Sequence, residues 1–291
     1  MQFEPIAKDV YLLKIPFCGI WVGVYLIRGE RNVLIDSGLN GEGVDRFLLP
    51  ALAGLGLRAE DIDCLYNTHT HGDHIGGHAR LKERNERLTV LCPVAGEDKI
   101  RHPLQYNIAI RRRFPKDSAE PSWHLKGVAC DGVLSDGEER DGLRVIATPG
   151  HDDDCCCYLH LATGTLLTGD SLQQNGTDTQ GMALYMDLDA YRDSIAKLKK
   201  TEIRRIVCGH PFNPLGAFAE GERACAEYLD YCLNLTYEYD NLIAELHGQG
   251  KNMRECAVGV IGAVNGIVPD RLYLAMYTVS EHLKKIIGKG M

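Results

Sequence analysis

Short apolar runs alternate with turn residues over the first sixty positions of the chain. The runs "VYLLKI", "WVGVYLIRG" and "RNVLIDSG" are rich in β-branched and aromatic residues and are bounded by Gly, Asn and Asp, which is typical of the strands of a meander. "VDRFLLPALAGLG" then shows helical spacing, "DIDCLYNTH" predicts a strand, and "IGGHARLKERNERLTVLC" predicts a helix followed by a strand. The chain therefore alternates β and α elements.

This regular pattern stops between residues 98 and 127, in a segment rich in Arg and Pro that shows no steady period. A segment of this length inside a compact domain is more often a lid than a plain connection, so we predict a lid insert. Short strands then return as "LRVIATPGH", "CCCYLHLAT", "GTLLTGDSL" and "RRIVCGH", and all but the second end in a polar or metal-binding residue. Reactive groups therefore gather at strand ends.

Beyond residue 216 the strand signals disappear, and two long segments carry their apolar residues on one helical face. Pro269 begins the second of these helices and Gly288 ends it. We therefore divide the chain into a catalytic domain, residues 1–215, and a helical C-terminal subdomain, residues 216–291.

Net charge and cysteine usage bear on the partners and the compartment that we expect for the protein. The 291 residues are 45% hydrophobic and 25% charged, and the formal net charge of −8 gives no general reason to expect nucleic acid or an anionic membrane as a partner. The eleven cysteines are odd in number and partly adjacent, which fits a reducing cytosol better than a disulfide scaffold. The N-terminal residues show neither a signal peptide nor a membrane-spanning helix, so we expect a cytoplasmic protein.

The strongest chemical signal is the stretch "LYNTHTHGDHIGGH", residues 65–78, which places four histidines and an aspartate within ten positions. In an extended segment His69 and His71 project to the same side and can chelate one ion. Asp73 and His74 lie one turn further along and can bind a second ion. Imidazole and carboxylate are the ligands preferred by zinc, iron or manganese.

Three later strands supply further candidate ligands. "TPGH" places His151, "LLTGD" places Asp170 and "VCGH" places His210, each after an apolar strand and a glycine. The glycine lets the backbone turn sharply and approach an ion without a side-chain clash. The sequence therefore predicts a split metal site, with one half in residues 69–74 and the other half in three later loops.

These motifs resemble those of the metallo-β-lactamase-fold hydrolases. The family motif His-x-His-x-Asp-His is unaltered at residues 69–74, and Asp36 in "VLIDSG", His151, Asp170 and His210 occur in the family's order. The resemblance covers residues 1 to about 215. It implies an α/β fold, the four-layer αβ/βα metallo-β-lactamase sandwich with its site along one edge between two sheets, here followed by a C-terminal helical appendage.

The same resemblance implies a dinuclear site for two divalent ions, with zinc expected and iron or manganese as alternatives. Seven residues would be the ligands: His69, His71 and His151 for one ion, Asp73, His74 and His210 for the other, and Asp170 as the bridge between them. Asp36 would orient a ligand loop through hydrogen bonds, and Gly76 and Gly77 would permit tight packing beneath the site. Asp73 would also act in catalysis by steering or accepting a proton.

The predicted chemistry follows from the two ions. A water that bridges two cations loses a proton at neutral pH and attacks a carbonyl or phosphoryl centre. We therefore expect a hydrolase of a small-molecule ester, lactone or thioester, because the bridging Asp170 resembles the glyoxalase II and lactonase branches. Two alternatives stay open: an iron-dependent oxidoreductase that resembles persulfide dioxygenases, and a phosphodiesterase or ribonuclease of the same fold.

Three residues outside the metal motifs are candidate substrate contacts. Arg112, in the basic run Arg111–Arg113, could bind a phosphate or carboxylate. Trp21, at the opening of "VGVYLI", could form an apolar wall over the site, and Tyr185 follows the bridging Asp170 and could face the pocket.

The C-terminal helices weakly resemble the winged-helix-like appendage of some family members, including endoribonuclease-like ones. The sequence ends at Met291 and leaves no residues for a wing, so we describe the appendage as truncated and do not expect nucleic-acid binding. We expect these helices to pack on the catalytic domain or on a second copy of the chain in a homodimer.

Overall fold

The first of two sheets has seven strands that lie side by side in the order of the sequence. The computed structural model describes residues 1–288, and the chain end at Met291, on which the expected lack of a wing depends, lies outside the described residues. The strands are β1 (Glu4–Ala7), β2 (Val10–Phe17), β3 (Ile20–Ile27), β4 (Val33–Ile35), β5 (Cys64–Tyr66), β6 (Thr89–Pro93) and β7 (Gly132–Leu134). Neighbours from β1 to β4 are antiparallel, and neighbours from β4 to β7 are parallel.

The second sheet has six strands in the order β13-β12-β11-β10-β9-β8. They are β8 (Glu139–Arg140), β9 (Leu143–Ala147), β10 (Cys156–His160), β11 (Thr165–Gly169), β12 (Arg205–Cys208) and β13 (Phe218–Glu220). Strands β11 and β12 are parallel, and the other pairs are antiparallel.

Helices cover the outer faces of both sheets. They are α1 (Gly41–Gly43), α2 (Leu49–Gly54), α3 (Gly72–Ile75), α4 (His78–Arg84), α5 (Glu97–Arg101), α6 (Pro103–Arg112), α7 (Leu188–Leu198), α8 (Glu222–Gly248), α9 (Met253–Val264) and α10 (Tyr273–Gly288). A π-helical turn, Val44–Leu48, joins α1 to α2. None of the helices within residues 1–288 combines the length and the apolar character needed to cross a membrane.

Side-chain alternation along the strands builds three apolar layers. In β10, Cys156 and Tyr158 lie in the core between the two sheets, whereas Cys157 and Leu159 lie in the core under the helices. Tyr158 meets Tyr66 of the first sheet with ring centroids 5.7 Å apart. Because both faces of each sheet are buried, the strands show nearly continuous apolar runs. The predicted four-layer sandwich with a helical appendage is confirmed. As expected, "CCCYLHL" forms a core strand, and its cysteines are not in disulfides.

Two parts of the chain differ from the sequence prediction. Strand β13 lies beyond residue 215 and pairs with β12, so the second sheet extends past the predicted end of the catalytic domain. An edge strand of three residues is too short to show alternation. In the segment 98–127, α5 and α6 replace the expected aperiodic structure. The buried side of α6 includes Asn107 beside Pro103 and Ile110, and this polar residue hides the helical period.

A buried chain of hydrogen bonds holds α10 against α7 and α8. The hydroxyl of Tyr185 donates to Nε2 of His282 at 2.6 Å, and Nδ1–H of His282 donates to Asp240 at 2.7 Å. Asp240 is also paired with Arg192 of α7 at 2.6 Å. Burial lowers the pKa of His282, so its ring stays neutral at physiological pH and can accept on one side while it donates on the other.

Replacing Tyr185 with Phe is expected to lower the free energy of unfolding by about 1–3 kcal/mol, because Nε2 of His282 would stay buried without a donor. Urea denaturation followed by circular dichroism measures this change. Tyr237→Phe is the matched control, since Tyr237 on α8 is 49% exposed and its hydroxyl loss should change the stability by less than about 0.5 kcal/mol. Equal stability of the two variants would contradict the anchoring role of this hydrogen-bond chain.

Candidate metal centre

Five strand ends meet at one edge of the sandwich. Strand β4 leads into Asp36, β5 leads into the segment 67–74, and β9, β11 and β12 lead into His151, Asp170 and His210. Two backbone hydrogen bonds join the two sheets here: Gly23 N–H donates to the Gly209 carbonyl at 2.8 Å, and Cys156 N–H donates to the Thr68 carbonyl at 2.9 Å. Within the second sheet, Gly209 N–H donates to the Gly169 carbonyl at 2.7 Å. The two halves of the predicted site are therefore held together by main chain.

The structure brings all seven predicted ligands together. They form three overlapping groups whose possible ligand atoms lie within 4.8 Å of one another: His69, His71 and His151, then His69, His74 and Asp170, then Asp73, His74 and His210. The first and third groups are the two trios that the family resemblance assigns to separate ions. The middle group connects them.

Asp170 lies between the two trios. Its Oδ1 is 3.4 Å from Nε2 of His74 and 3.6 Å from Nε2 of His210, whereas its Oδ2 is 3.7 Å from Nε2 of His151. One carboxylate oxygen therefore faces each trio, which is the arrangement that a bridging ligand needs. Asp73 completes the third group, with its Oδ2 3.1 Å from Nε2 of His210.

The outer nitrogens of four ligand histidines contact acceptors in the surrounding protein. Nδ1 of His74 lies 2.8 Å from Asp36, and Nδ1 of His69 lies 3.0 Å from the hydroxyl of Thr68. Nδ1 of His151 and of His210 lie 2.8 Å from the main-chain carbonyls of Leu184 and Trp21 respectively. These contacts place the proton on Nδ1 and leave the Nε2 lone pair free to bind an ion.

The inner atoms of the site fit divalent cations. Nε2 of His69, Nε2 of His74 and Oδ1 of Asp170 are buried and have no hydrogen-bond partner. Buried polar atoms are rarely left unpaired because each costs free energy. Imidazole nitrogens and carboxylate oxygens that converge without donors between them are the ligand set of zinc and related ions.

Asp36 makes the contacts expected of the orienting residue that the family resemblance implies. It is fully buried, and its φ of 65° turns the chain sharply after β4. Its carboxylate accepts from the main-chain N–H of Thr68 at 2.7 Å, from the Thr68 hydroxyl at 2.9 Å and from His74 at 2.8 Å. One side chain therefore fixes both the segment that carries His69 and the ring of His74.

Glycines make this close approach possible. A Cβ added at Gly209 would lie 2.8 Å from Oδ1 of Asp170 and 2.9 Å from the ring of His74. Cβ atoms at Gly76 and Gly77 would lie 1.7 and 2.4 Å from neighbouring carbonyl oxygens, so the predicted tight packing beneath the site is confirmed.

The surroundings shift the pKa values of the ligands in different directions. Burial alone would raise the pKa of Asp170, but the neighbouring rings of His210 and His74 lower it to about 2. Burial lowers the pKa of His69 well below its usual value and that of His151 to about 4. At neutral pH the bridge is therefore a carboxylate, and the rings of His69 and His151 are neutral. In spite of burial, Asp170 and Asp73 raise the pKa of both His74 and His210, so a cation that binds these two rings takes the place of a proton.

The three predicted substrate contacts have different outcomes. The prediction for Tyr185 is wrong, because this residue has no exposed surface and its hydroxyl is bonded to His282; a position shortly after a ligand does not tell which face its side chain occupies. Trp21 lies in β3 and its carbonyl accepts from His210, while its ring packs 6.3 Å from that of Phe218; its role as an apolar wall over the site stays a prediction. Arg112 is exposed at the end of α6, and its contact with a substrate stays a prediction.

Sequence reasoning missed three side chains beside the metal ligands. The ring of Phe17 lies 5.4 Å from that of His210, and the ring of Tyr106 lies 6.4 Å from that of His71 and nearly parallel to it. Asp152 places a carboxylate oxygen 3.4 Å from Nε2 of His71. Phe17 and Tyr106 come near the site only through the fold, whereas the adjacency of Asp152 to His151 was a signal in the sequence.

Comparison with known proteins supplies independent information on this arrangement. The family described as the metallo-beta-lactamase superfamily matches residues 22–210. A beta-lactamase-like protein 2 homolog of Drosophila melanogaster is 26% identical over 279 residues, which cover 90% of this chain and 80% of that protein. A probable metallo-hydrolase of Bacillus subtilis, YqjP, is 25% identical over 232 residues, which cover 70% of this chain and 72% of that protein.

Two solved structures share the fold of this chain, and one of them covers nearly all of it. A metallo-beta-lactamase family protein of Thermus thermophilus superposes with a TM-score of 0.76 at 22% identity and covers 98% of this chain and 95% of its own. A B3 metallo-beta-lactamase with an active-site glutamic acid superposes with a TM-score of 0.60 at 22% identity and covers 82% of this chain and 90% of its own. At this level of identity the likeness establishes the fold alone.

Replacing Gly209 with Ala is expected to weaken zinc binding by on the order of tenfold or more, because the new Cβ would displace Asp170 and His74 from their positions. Titration of the metal-free protein against a chromophoric chelator measures the affinity. Gly262→Ala on α9 is the control, since nothing lies within 4 Å of a Cβ there. Zinc affinity that is the same in both variants would show that close packing at Gly209 does not matter to the site.

Proposed function

Because the chain belongs to the metallo-β-lactamase superfamily, we propose that it is a hydrolase that uses two divalent metal ions to cleave a small-molecule ester, lactone or thioester. One observation supports this proposal above the others: two trios of ligands lie on either side of Asp170, which presents one oxygen to each. A site for a single ion would need neither the second trio nor a carboxylate between the two.

The residues that would hold the ions are the seven described above. His69, His71 and His151 would bind one ion, Asp73, His74 and His210 would bind the other, and Asp170 would contact both. Zinc is the expected metal for this ligand set, and iron or manganese would fit the same atoms. Bound there, the ions would supply Lewis acidity and lower the pKa of water to near neutrality.

Asp73 is the ligand placed to move a proton. Its side chain is 18% exposed, whereas that of His74 is fully buried, so Asp73 lies at the open side of the site. The charges of His74 and His210 hold the pKa of Asp73 well below its usual range in spite of its burial. A carboxylate at this position can orient an attacking water and accept its proton.

The insert that contains α5 and α6, predicted from the sequence as a lid, is tied to α10 and would act as a fixed wall of the substrate cleft. The Tyr277 hydroxyl donates to the Ile110 carbonyl at 2.9 Å, and Arg113 donates to the hydroxyl of Ser280 at 2.9 Å. These contacts tie α6 to α10, so the helical appendage supports this wall of the cleft. Arg112, exposed beside them, is a candidate to bind a negatively charged part of the substrate.

Metal content and substrate preference test the proposed function together. The protein as purified is expected to contain two zinc ions per chain and to hydrolyse members of a panel of lactones and thioesters faster than bis(p-nitrophenyl) phosphate. One iron per chain with oxygen consumption would instead indicate the oxidoreductase alternative. Cleavage of the phosphodiester alone would indicate a nuclease.

Replacing Asp170 with Asn is expected to reduce the metal content towards one ion per chain and to lower hydrolysis by at least about tenfold, because the bridging charge is lost. The sheets should stay folded, since Asp170 lies at a strand end outside the apolar core. Elemental analysis, hydrolysis rate and circular dichroism are measured on one sample. Asp193→Asn, an exposed position on α7, is the control, and unchanged metal content with full activity in Asp170→Asn would contradict a dinuclear site.

A further inference from the structure

A cluster of three side chains lies behind the ligand His71, and the proposed function does not use it. Lys99 comes from α5, Tyr106 from α6, and Asp152 directly follows His151. The side chain of Asp152 is 5% exposed and that of Lys99 is 14% exposed.

The two nitrogens of His71 face different surroundings. Nδ1 lies 2.9 Å from Nε2 of His151, on the side where the ligands converge. Nε2 lies 3.4 Å from Oδ2 of Asp152 and makes no hydrogen bond at its present orientation. The outer nitrogens of the other four ligand histidines have acceptors within 3.0 Å. For the fifth histidine, His71, the carboxylate of Asp152 faces the outer nitrogen.

Both oxygens of Asp152 are held by the insert. Nζ of Lys99 lies 2.6 Å from Oδ1, and the Tyr106 hydroxyl donates to Oδ2. Lys99 also lies 4.4 Å from the centre of the Tyr106 ring, which itself stacks beside His71. A carboxylate fixed at both oxygens cannot turn away from the ring that it faces, so its orientation towards His71 is set before any ion binds.

The acidic run Asp152–Asp154 is not a separate cation site. Nζ of Lys99 contacts the carboxylates of Asp152 and Asp153 and lies 3.4 Å from that of Asp154. The ammonium group therefore already occupies the position that a metal ion would take among these oxygens. Its charge compensates the burial of Asp152 and leaves that residue free to serve His71.

We propose that Asp152 is a positioning residue for His71, and that Lys99 and Tyr106 hold it in place. Asp152 accepts a hydrogen bond from Nε2–H of His71, which keeps the proton on Nε2 and presents the lone pair of Nδ1 to the ion. A carboxylate in this role fixes the tautomer and increases the basicity of the ligand nitrogen. The insert is thereby connected to the metal centre, and this inference rests on the dinuclear site of the proposed function.

The experiment measures metal binding rather than activity. Full-length protein is stripped with a chelator and titrated with Zn²⁺ by calorimetry, and its Co²⁺ form is examined by visible absorption spectroscopy. Asp152→Asn is expected to weaken one of the two binding events by about 10–100-fold and to change the Co²⁺ spectrum of that site. The other event should keep the wild-type affinity, because Asp73, His74 and His210 do not contact Asp152.

Two further variants make the result specific. Asp153→Asn removes a neighbouring carboxylate that also contacts Lys99 but is 72% exposed, so both binding events should match wild type. Tyr106→Phe keeps the ring beside His71 and removes the hydroxyl that holds Asp152. It should weaken the same event as Asp152→Asn by a smaller factor, and it provides the test if Asp152→Asn does not fold.

Two outcomes would overturn the inference in different ways. Wild-type affinity for both ions in Asp152→Asn, or in Tyr106→Phe if the first variant does not fold, would remove the role of Asp152 and leave the proposed function standing. A wild-type protein that binds no Zn²⁺ would overturn both the inference and the proposed function.

Discussion

Five imidazoles and two carboxylates lie buried or nearly buried at one edge of two packed sheets, and their burial is the constraint on which the rest of the structure depends. Polar groups removed from water are stable only when each has a partner. The outer nitrogens of four of the histidines find theirs in Asp36, the Thr68 hydroxyl and two main-chain carbonyls. Three inner atoms, Nε2 of His69, Nε2 of His74 and Oδ1 of Asp170, have no hydrogen-bond partner, and divalent cations are the partners that suit them.

The need to bring these buried groups together determines the path of the backbone around the site. The ligands come from both sheets, so their loops must approach closely, and cross-sheet hydrogen bonds such as that from Gly23 to Gly209 hold them there. The helical appendage takes part through adjacent residues: the Leu184 carbonyl accepts from His151, and the next residue, Tyr185, donates to His282 of α10. The helical appendage therefore supports the metal ligand His151 through the short main-chain segment Leu184–Tyr185.

The sequence identifies the seven side chains that the fold brings together because the relevant information is local. The spacing from His69 to His74 and the glycine before each later candidate ligand depend on neighbouring residues alone, and the resemblance that these motifs carry implies the sandwich. Tyr185 was predicted wrongly because the pattern does not show which way a side chain in an irregular segment points. Strand β13 was missed because a strand of three residues is too short to show alternation. Helix α6 of the insert was missed because its buried side carries the polar residue Asn107.

The contacts of Asp152 could not be predicted for a different reason: they depend on α5 and α6, which are distant in sequence and approach His71 only in the folded chain. Adjacency to His151 alone did not show whether Asp152 faces solvent or the site. A residue that acts through another residue leaves little trace in a motif, because many acceptors can serve a histidine equally well. Such partners become visible only once distances are known.

An anomalous difference map from crystals of the protein as purified, recorded at the zinc absorption edge, tests the dinuclear site most directly. Two peaks about 3.5–4 Å apart are expected, one beside His71 and His151, the other beside His74 and His210, with Asp170 between them. A single peak at one trio, or no peak among these residues, would contradict the dinuclear site.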